Sequence, residues 1–211
     1  QRQMCIRDRR EARGEYLLFL NNDVEIITES WLEEMLQLCQ QKDVGMAGAK
    51  LYYPDDTIQH AGVVVGLGGV AAHVLCKLPR DAEGYMGRLR CVQEISAVTA
   101  ACMMVKTSVF KAVGGFDEEL KVAFNDIDLC MKVRKYGVKI VFTPYAELYH
   151  YESKSRGMED TPEKQLRFSR EVNCFRRKWE RELLKGDPYY NPNLTLNNTD
   201  CSLRKQEKNG D

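Results

Sequence analysis

Three sets of residues in this chain have types and positions suited to chemistry. Asn21-Asn22-Asp23 ends the apolar run Tyr16-Leu17-Leu18-Phe19-Leu20, Asp126 and Asp128 follow Asn125, and His150 lies between two tyrosines. Carboxylates and imidazole are the side chains that hold ligands and move protons. Each set also has a plainer explanation. Asn and Asp begin turns for conformational reasons alone. Carboxylates in a first helical turn gain ~0.3–1 kcal/mol from the macrodipole whatever the function. A histidine among tyrosines can serve as a hydrogen-bonded structural residue. No Ser-His-Asp or Cys-His arrangement for a protein nucleophile accompanies them.

The elements that must position these groups follow from the apolar pattern. Tyr16 to Leu20 is too short for a helix and reads as a buried strand whose C-terminal end delivers Asp23 into a crevice, where open α/β sheets bind ligands. Ser30-Trp31-Leu32-Glu33 has capping-box spacing, and Leu32, Met35, Leu36 and Cys39 make the stripe of a helix ending near Lys42. Val44 to Leu51 is the next strand, which completes the order of a parallel α/β unit. Residues 61–78 read as two strands around Gly68-Gly69, and residues 79–90 as a loop open to movement. Cys91 to Lys106 reads as an apolar strand, with Ser96, Thr99, Ala100 and Ala101 small enough for another group to come close. Thr107 is placed to cap a short helix and Asn125 a second, with Leu129, Cys130, Val133 and Tyr136 on one side and Gly137 as its stop. Lys139 to Phe142 is a short strand cut off by Pro144. Thr161-Pro162 starts a tail helix with Phe168, Val172, Phe175, Trp179 and Leu183 on one stripe.

Composition narrows the function classes. The 211 residues, 44% hydrophobic, suffice for one domain with a full core. Lys+Arg and Asp+Glu both total 31, which argues against a nucleic-acid binder that neutralises many phosphates. The eight cysteines form no Cys-x-x-Cys pair and several lie in apolar segments, as free thiols in a reducing compartment do, so the sequons at Asn193 and Asn197 are read as chance. No apolar run reaches the ~18 residues of a membrane span.

Taken together, a set of ordered motifs resembles the inverting glycosyltransferases of family 2, from about Glu11 to Leu194. They are Gly14-Glu15-Tyr16-Leu17-Leu18-Phe19-Leu20-Asn21-Asn22-Asp23, Gln59-His60-Ala61-Gly62, Gly114-Gly115-Phe116-Asp117-Glu118 and Asn125-Asp126-Ile127-Asp128-Leu129-Cys130. His150-Tyr151-Glu152-Ser153-Lys154-Ser155-Arg156-Gly157 and Asp187-Pro188-Tyr189-Tyr190-Asn191-Pro192-Asn193 complete the set. The resemblance implies an α/β, Rossmann-like GT-A fold: a mixed, mostly parallel sheet with flanking helices and a C-terminal helix. It is of the bacterial surface-polysaccharide and O-antigen type, which implies a UDP-, dTDP- or GDP-sugar donor, a glycan or lipid-linked acceptor and a cytoplasmic setting. Peripheral contact of the basic, aromatic tail helix with a membrane is one reading, and packing on its own core is the other.

The same resemblance assigns roles. Asp23 would face a divalent cation (Mg2+ or Mn2+), with His150 completing that site. Asn21, standing where the family has the first acid of Asp-x-Asp, and Arg156 would lie at the donor diphosphate. Asp126 would be the catalytic base, with Asn125 in place of the usual preceding Glu. Ala100, where a glycine is usual, and Ala101, Phe116, Asp117 and Asn125 would face the donor sugar or acceptor. His60 and His73 are expected to be structural or acceptor-side. Residues 1–10 fall outside the resemblance, 11–160 would be the catalytic and acceptor half, 161–200 a helix and extended segment packed on it, and 201–211 a disordered tail. The family's nucleotide-holding units would precede Glu11, so this chain is expected to be a fragment that binds nucleotide sugar poorly. A metal-dependent nucleotidyltransferase and a non-catalytic glycan-binding module are the rival readings.

Overall fold

The apolar run forms strand β1 (Tyr16–Leu20) in a computed structural model that describes residues 12–151 and 161–205. It is half-buried and not buried throughout: Leu17 is covered, while Leu18 and Leu20 are 37% and 41% exposed. The cause is its place at the edge of the sheet, where it pairs with β8 (Cys102–Lys106). Strand β2 (Val24–Ile26), helix α1 (Trp31–Gln40) and strand β3 (Val44–Tyr52) come next. Helix α1 buries Met35 and Cys39 as its stripe predicts, but Leu32 is exposed and Ser30 makes no capping bond.

Strand β3 is buried along its whole length and is the middle of a seven-stranded sheet ordered β1-β8-β3-β9-β2. Two short strands hang off this path: β4 (Ile58–His60) on β3 and β7 (Gln93–Glu94) on β9 (Lys139–His150). The sheet is mixed, as expected, but not mostly parallel. Strand β3 runs parallel to β9, whereas the β1–β8, β3–β8, β3–β4, β2–β9 and β7–β9 pairings are antiparallel. Strands β1 and β3 do point the same way, because both are antiparallel to β8. The strand-helix-strand order was thus legible, while the later strand that slips between its two members was not.

Three further expectations are corrected. Residues 91–106 are not one strand: the chain leaves β7, turns at Ala100-Ala101 and only then enters β8. Pro144 does not end β9. Between Gly48 and Lys50 of β3 the partner on β9 jumps from Phe142 to Glu147, and Pro144 sits in the bulged stretch, where no ladder N–H is asked of it. Residues 79–90 are held at several points. Arg80 reaches Glu147 at 3.2 Å and Tyr149 at 3.3 Å, and buried Lys50 donates to the Leu89 carbonyl at 3.2 Å.

The hairpin around Gly68-Gly69 is present as β5 (Val63–Val65) and β6 (Ala71–His73). Helix α2 (Thr107–Ala112) is not capped by Thr107, whose hydroxyl donates to the Gly14 carbonyl at 2.7 Å. Helix α3 (Asn125–Tyr136) buries Leu129, Cys130 and Val133 but leaves Tyr136 exposed, and stops at left-handed Gly137. The tail gives α4 (Pro162–Lys178), capped by Thr161 as predicted, and α5 (Glu180–Lys185). Phe175 and Trp179 are buried in the molecule's own core, so this part of the stripe is not offered to a membrane. Among the described residues no helix is long and apolar enough to cross one. Residues 201–205 are not disordered: Cys201 is buried and Leu203 bridges Leu194; the rest of that expected tail lies outside the described residues. Buried thiols behave as small hydrophobes, and burial pushes Cys39 and Cys102 up to about 12.

One close approach under the sheet makes a clean stability test. A Cβ on Gly48 would stand 2.3 Å from Cγ1 and 2.5 Å from Cβ of Val98, and a Cβ atom cannot swing aside. Gly48→Ala is expected to lower the unfolding free energy of the chain by ~1–3 kcal/mol in urea titration, the usual cost of overpacking. A midpoint within error of the unsubstituted chain would show that Val98 yields freely.

Candidate active site

The β2–β9 register places Val24 opposite His150, and the Tyr151 amide donates to the Asp23 carbonyl at 2.8 Å. Asp23 Oδ1 therefore lies 3.3 Å from His150 Nε2, and Asn21 Nδ2 lies 3.0 Å from the same nitrogen. The far side of the ring is fixed by Gln59 from β4. Its Oε1 is 2.7 Å from His150 Nδ1, and its Nε2 donates to the His150 carbonyl at 3.1 Å. With Nδ1 carrying the proton, Nε2 presents its lone pair to Asn21 and Asp23. Asp23 Oδ1 is buried and makes no hydrogen bond.

The second centre is the start of α3. Asp126 Oδ2 accepts from the Thr99 hydroxyl and the Ala100 amide, both at 3.2 Å, and Oδ1 accepts from the Ile127 amide at 2.9 Å. Three donors fix its direction. Asn125 is the first residue of the helix and not its cap; its Oδ1 accepts from the Asp126 amide at 2.8 Å. The cap position belongs to Phe124, in left-handed conformation at φ 61.

Residues 99–101 join the two centres. While Thr99 and Ala100 hold Asp126, the Ala101 carbonyl accepts from the Asn21 amide at 2.9 Å. The Thr99 amide in turn donates to His60 Nε2 at 3.4 Å, and His60 Nδ1 lies 2.9 Å from His73 Nδ1. Burial, reinforced by His73 and His150, holds His60 well below the usual imidazole range, so it supports the turn as a neutral ring. Neighbours on β4 thus serve different centres: Gln59 serves His150 and His60 serves Thr99.

Not every expected site residue joins them. Phe116 is half-buried and packs against Phe19 at 4.9 Å and Phe110 at 5.7 Å between ring centroids, as the apolar anchor of a glycine turn. Asp117 pairs with Lys178 and accepts from the Glu119 amide at 2.9 Å; burial opposes ionisation, but these partners hold its carboxyl below the usual range. Asp128 is fully buried under Trp179 and Lys178. Arg156 lies outside the described residues.

A family model described as "Glycosyltransferase like family" matches residues 7–171. The chain belongs to this family. Among its relatives, y4gI of Sinorhizobium fredii is 56% identical over 194 residues, covering 92% of this chain and 21% of that protein. The O-antigen biosynthesis protein RfbC of Myxococcus xanthus is 40% identical over 203 residues, covering 96% of this chain and 16% of that protein. The chain thus spans about a fifth of the length of these relatives or less. Among solved structures, GalNAc-T7 with UDP, GalNAc and Mn2+ superposes with a TM-score of 0.61 at 14% identity, covering 86% of this chain and 35% of that one. That likeness establishes the GT-A fold, and the resemblance to family 2 and O-antigen enzymes holds.

For this glycosyltransferase-like chain, a divalent cation fits the Asp23–His150 pair on one observation: Asp23 Oδ1 is a buried carboxylate oxygen without a hydrogen bond, 3.3 Å from an imidazole nitrogen. Among the described residues no group of three or more His, Cys, Asp or Glu side chains is placed to hold a metal. The pair can therefore supply only part of a coordination shell. Gln59 and Thr99 are the supporting residues that sequence reasoning did not assign to the site. Gln59 stood in a quoted motif beside His60, and Thr99 had been noticed only for its size.

Proposed function

We propose that this chain carries the catalytic and acceptor side of an inverting glycosyltransferase, moving a sugar from a nucleotide-diphosphate donor to a glycan or lipid-linked hydroxyl. The observation that carries the reading is the linkage through residues 99–101 of an oriented carboxylate, Asp126, with the Asp23–His150 pair. When bound, a divalent cation would neutralise the departing diphosphate. Asp23 and His150 would hold it on one side, and Gln59 keeps the imidazole turned toward Asp23. Asn21 bears no charge where family 2 has an acid, which leaves Asp23 as the anion of that motif. Asp126 takes the proton of the acceptor hydroxyl as it attacks the anomeric carbon, and a single displacement inverts that centre. The O-antigen relative supports a surface-polysaccharide acceptor, and we place the reaction on the cytoplasmic side.

The test is made on the full-length protein with Mn2+ and a panel of UDP-glucose, UDP-galactose, dTDP-rhamnose and GDP-mannose. Release of nucleoside diphosphate, abolished by chelation, is the expected result, with an inverted linkage by NMR of the product. Release of pyrophosphate would point to nucleotidyl transfer, and metal-independent glycan binding without turnover would point to a binding module.

A further inference from the structure

We propose that Glu171 on α4 is a positioning residue for Asp126, the anchor of a clamp through which the tail helix fixes the loop leading into α3. The inference rests on the reading of Asp126 as the base. Glu171 is 4% exposed, yet no lysine or arginine is needed to explain its seat. Its Oε1 accepts from the Val122 amide at 2.9 Å and its Oε2 from the Ala123 amide at 2.8 Å. A buried carboxylate is tolerated only when well bonded, and here two consecutive backbone donors are aimed at it.

The next residue is Phe124, whose left-handed backbone is one that bulky side chains seldom adopt. Its ring lies 5.4 Å from that of Phe175 and 5.7 Å from that of Phe168, both on α4. One turn further, at the end of α4, the C-cap residue Trp179 donates from Nε1 to Asp128 Oδ1 at 2.9 Å, and Lys178 Nζ stands 2.7 Å from the same oxygen while also pairing with Asp117. Glu171, Phe175, Lys178 and Trp179 recur at three- and four-residue steps, which places them on one face of the helix. That face grips residues 122–123, then 124, then 128, on both sides of Asp126. Strained backbone persists where its surroundings over-determine it, and such places cluster at functional sites.

Helix α3 itself adds only the Lys132–Asp128 pair at 3.1 Å, inside its own body. Phe124 makes no side-chain cap, and the body of the helix is anchored further on by Leu129, Cys130 and Val133. Freeing the loop would therefore leave the helix docked but let its first turn shift against Thr99 and Ala100. An amide cannot replace the carboxylate, because its NH2 group would face one of the two N–H donors.

The experiment compares Glu171→Gln, Thr161→Ala and Asp126→Asn in the full-length protein, with the panel donor that releases nucleoside diphosphate fastest. Glu171→Gln is expected to lower kcat about 10–100-fold with donor KM changed less than about threefold, since displacement near 1 Å can cost 10²-fold. Thr161→Ala removes the cap of the same helix without touching the loop; it should lower the melting temperature and leave kcat within about twofold. Equal losses in Glu171→Gln and Thr161→Ala would reduce the clamp to general stability and overturn the proposal. So would an unchanged kcat, or a rise in KM alone, in Glu171→Gln while Asp126→Asn is inactive. If Asp126→Asn itself keeps its turnover, the base assignment fails first and the clamp falls with it.

Discussion

Asp126→Asn is expected to lower kcat of the full-length protein about 10²–10⁴-fold, the usual contribution of a positioned proton acceptor. The substitution keeps the volume and one carbonyl oxygen, so it can still accept either from Ile127 or from the Thr99–Ala100 turn, but not from both. Leaving a half-buried donor unmatched costs about 1–3 kcal/mol at most, which lowers stability without unfolding the domain. Donor KM should stay nearly constant, because Asp126 is bonded to Thr99 and Ala100, whereas Asn21 is bonded to Ala101. The measurement is kcat and KM by nucleoside diphosphate release, beside a thermal melt. Turnover within about threefold of the unsubstituted enzyme, with a normal melt, would remove Asp126 as the base.

The placement of that carboxylate shows what a sequence can and cannot disclose. Asp126 was legible because Asn-Asp-Ile-Asp before an amphipathic stretch marks a helix start, and motif order tied it to Asp23 and His150. The turn that connects them was not. Residues 91–106 are apolar and small, a pattern that a strand satisfies throughout, and nothing local shows that Thr99 to Ala101 must break away to bond Asn21 on one side and Asp126 on the other. Strand existence followed from apolar runs, but partners did not: β8 enters between β1 and β3 because of long-range pairing, which periodicity does not encode. The packing of Phe116 was hidden for a related reason. Its ring packs on Phe110, six residues away, and on Phe19 of β1, which local sequence does not connect with it. At the start of the expected tail, polar composition hid the packing of Cys201.

Asp23→Asn should separate stability from activity in the opposite direction to a damaged core. In the chain without a cation, Asp23 Oδ1 is buried, lacks a hydrogen bond and faces His150 Nε2 at 3.3 Å. Asn21 Nδ2 already meets that nitrogen at 3.0 Å, so what asparagine removes is a buried carboxylate charge without a hydrogen bond, which is costly to keep. The variant is therefore expected to melt at the same temperature as the parent or higher. Its loss appears only on ligation. Mn2+ with a nucleoside diphosphate should raise the melting temperature of the full-length parent and not that of Asp23→Asn, and turnover should fall at least about 100-fold, as when a charge opposing a departing anion is removed. This pattern is the one expected of a residue kept for function at a cost to the fold. A variant that melts lower yet keeps its Mn2+ response and turnover would make Asp23 a structural turn residue, and the Asp23–His150 pair would cease to be a metal site.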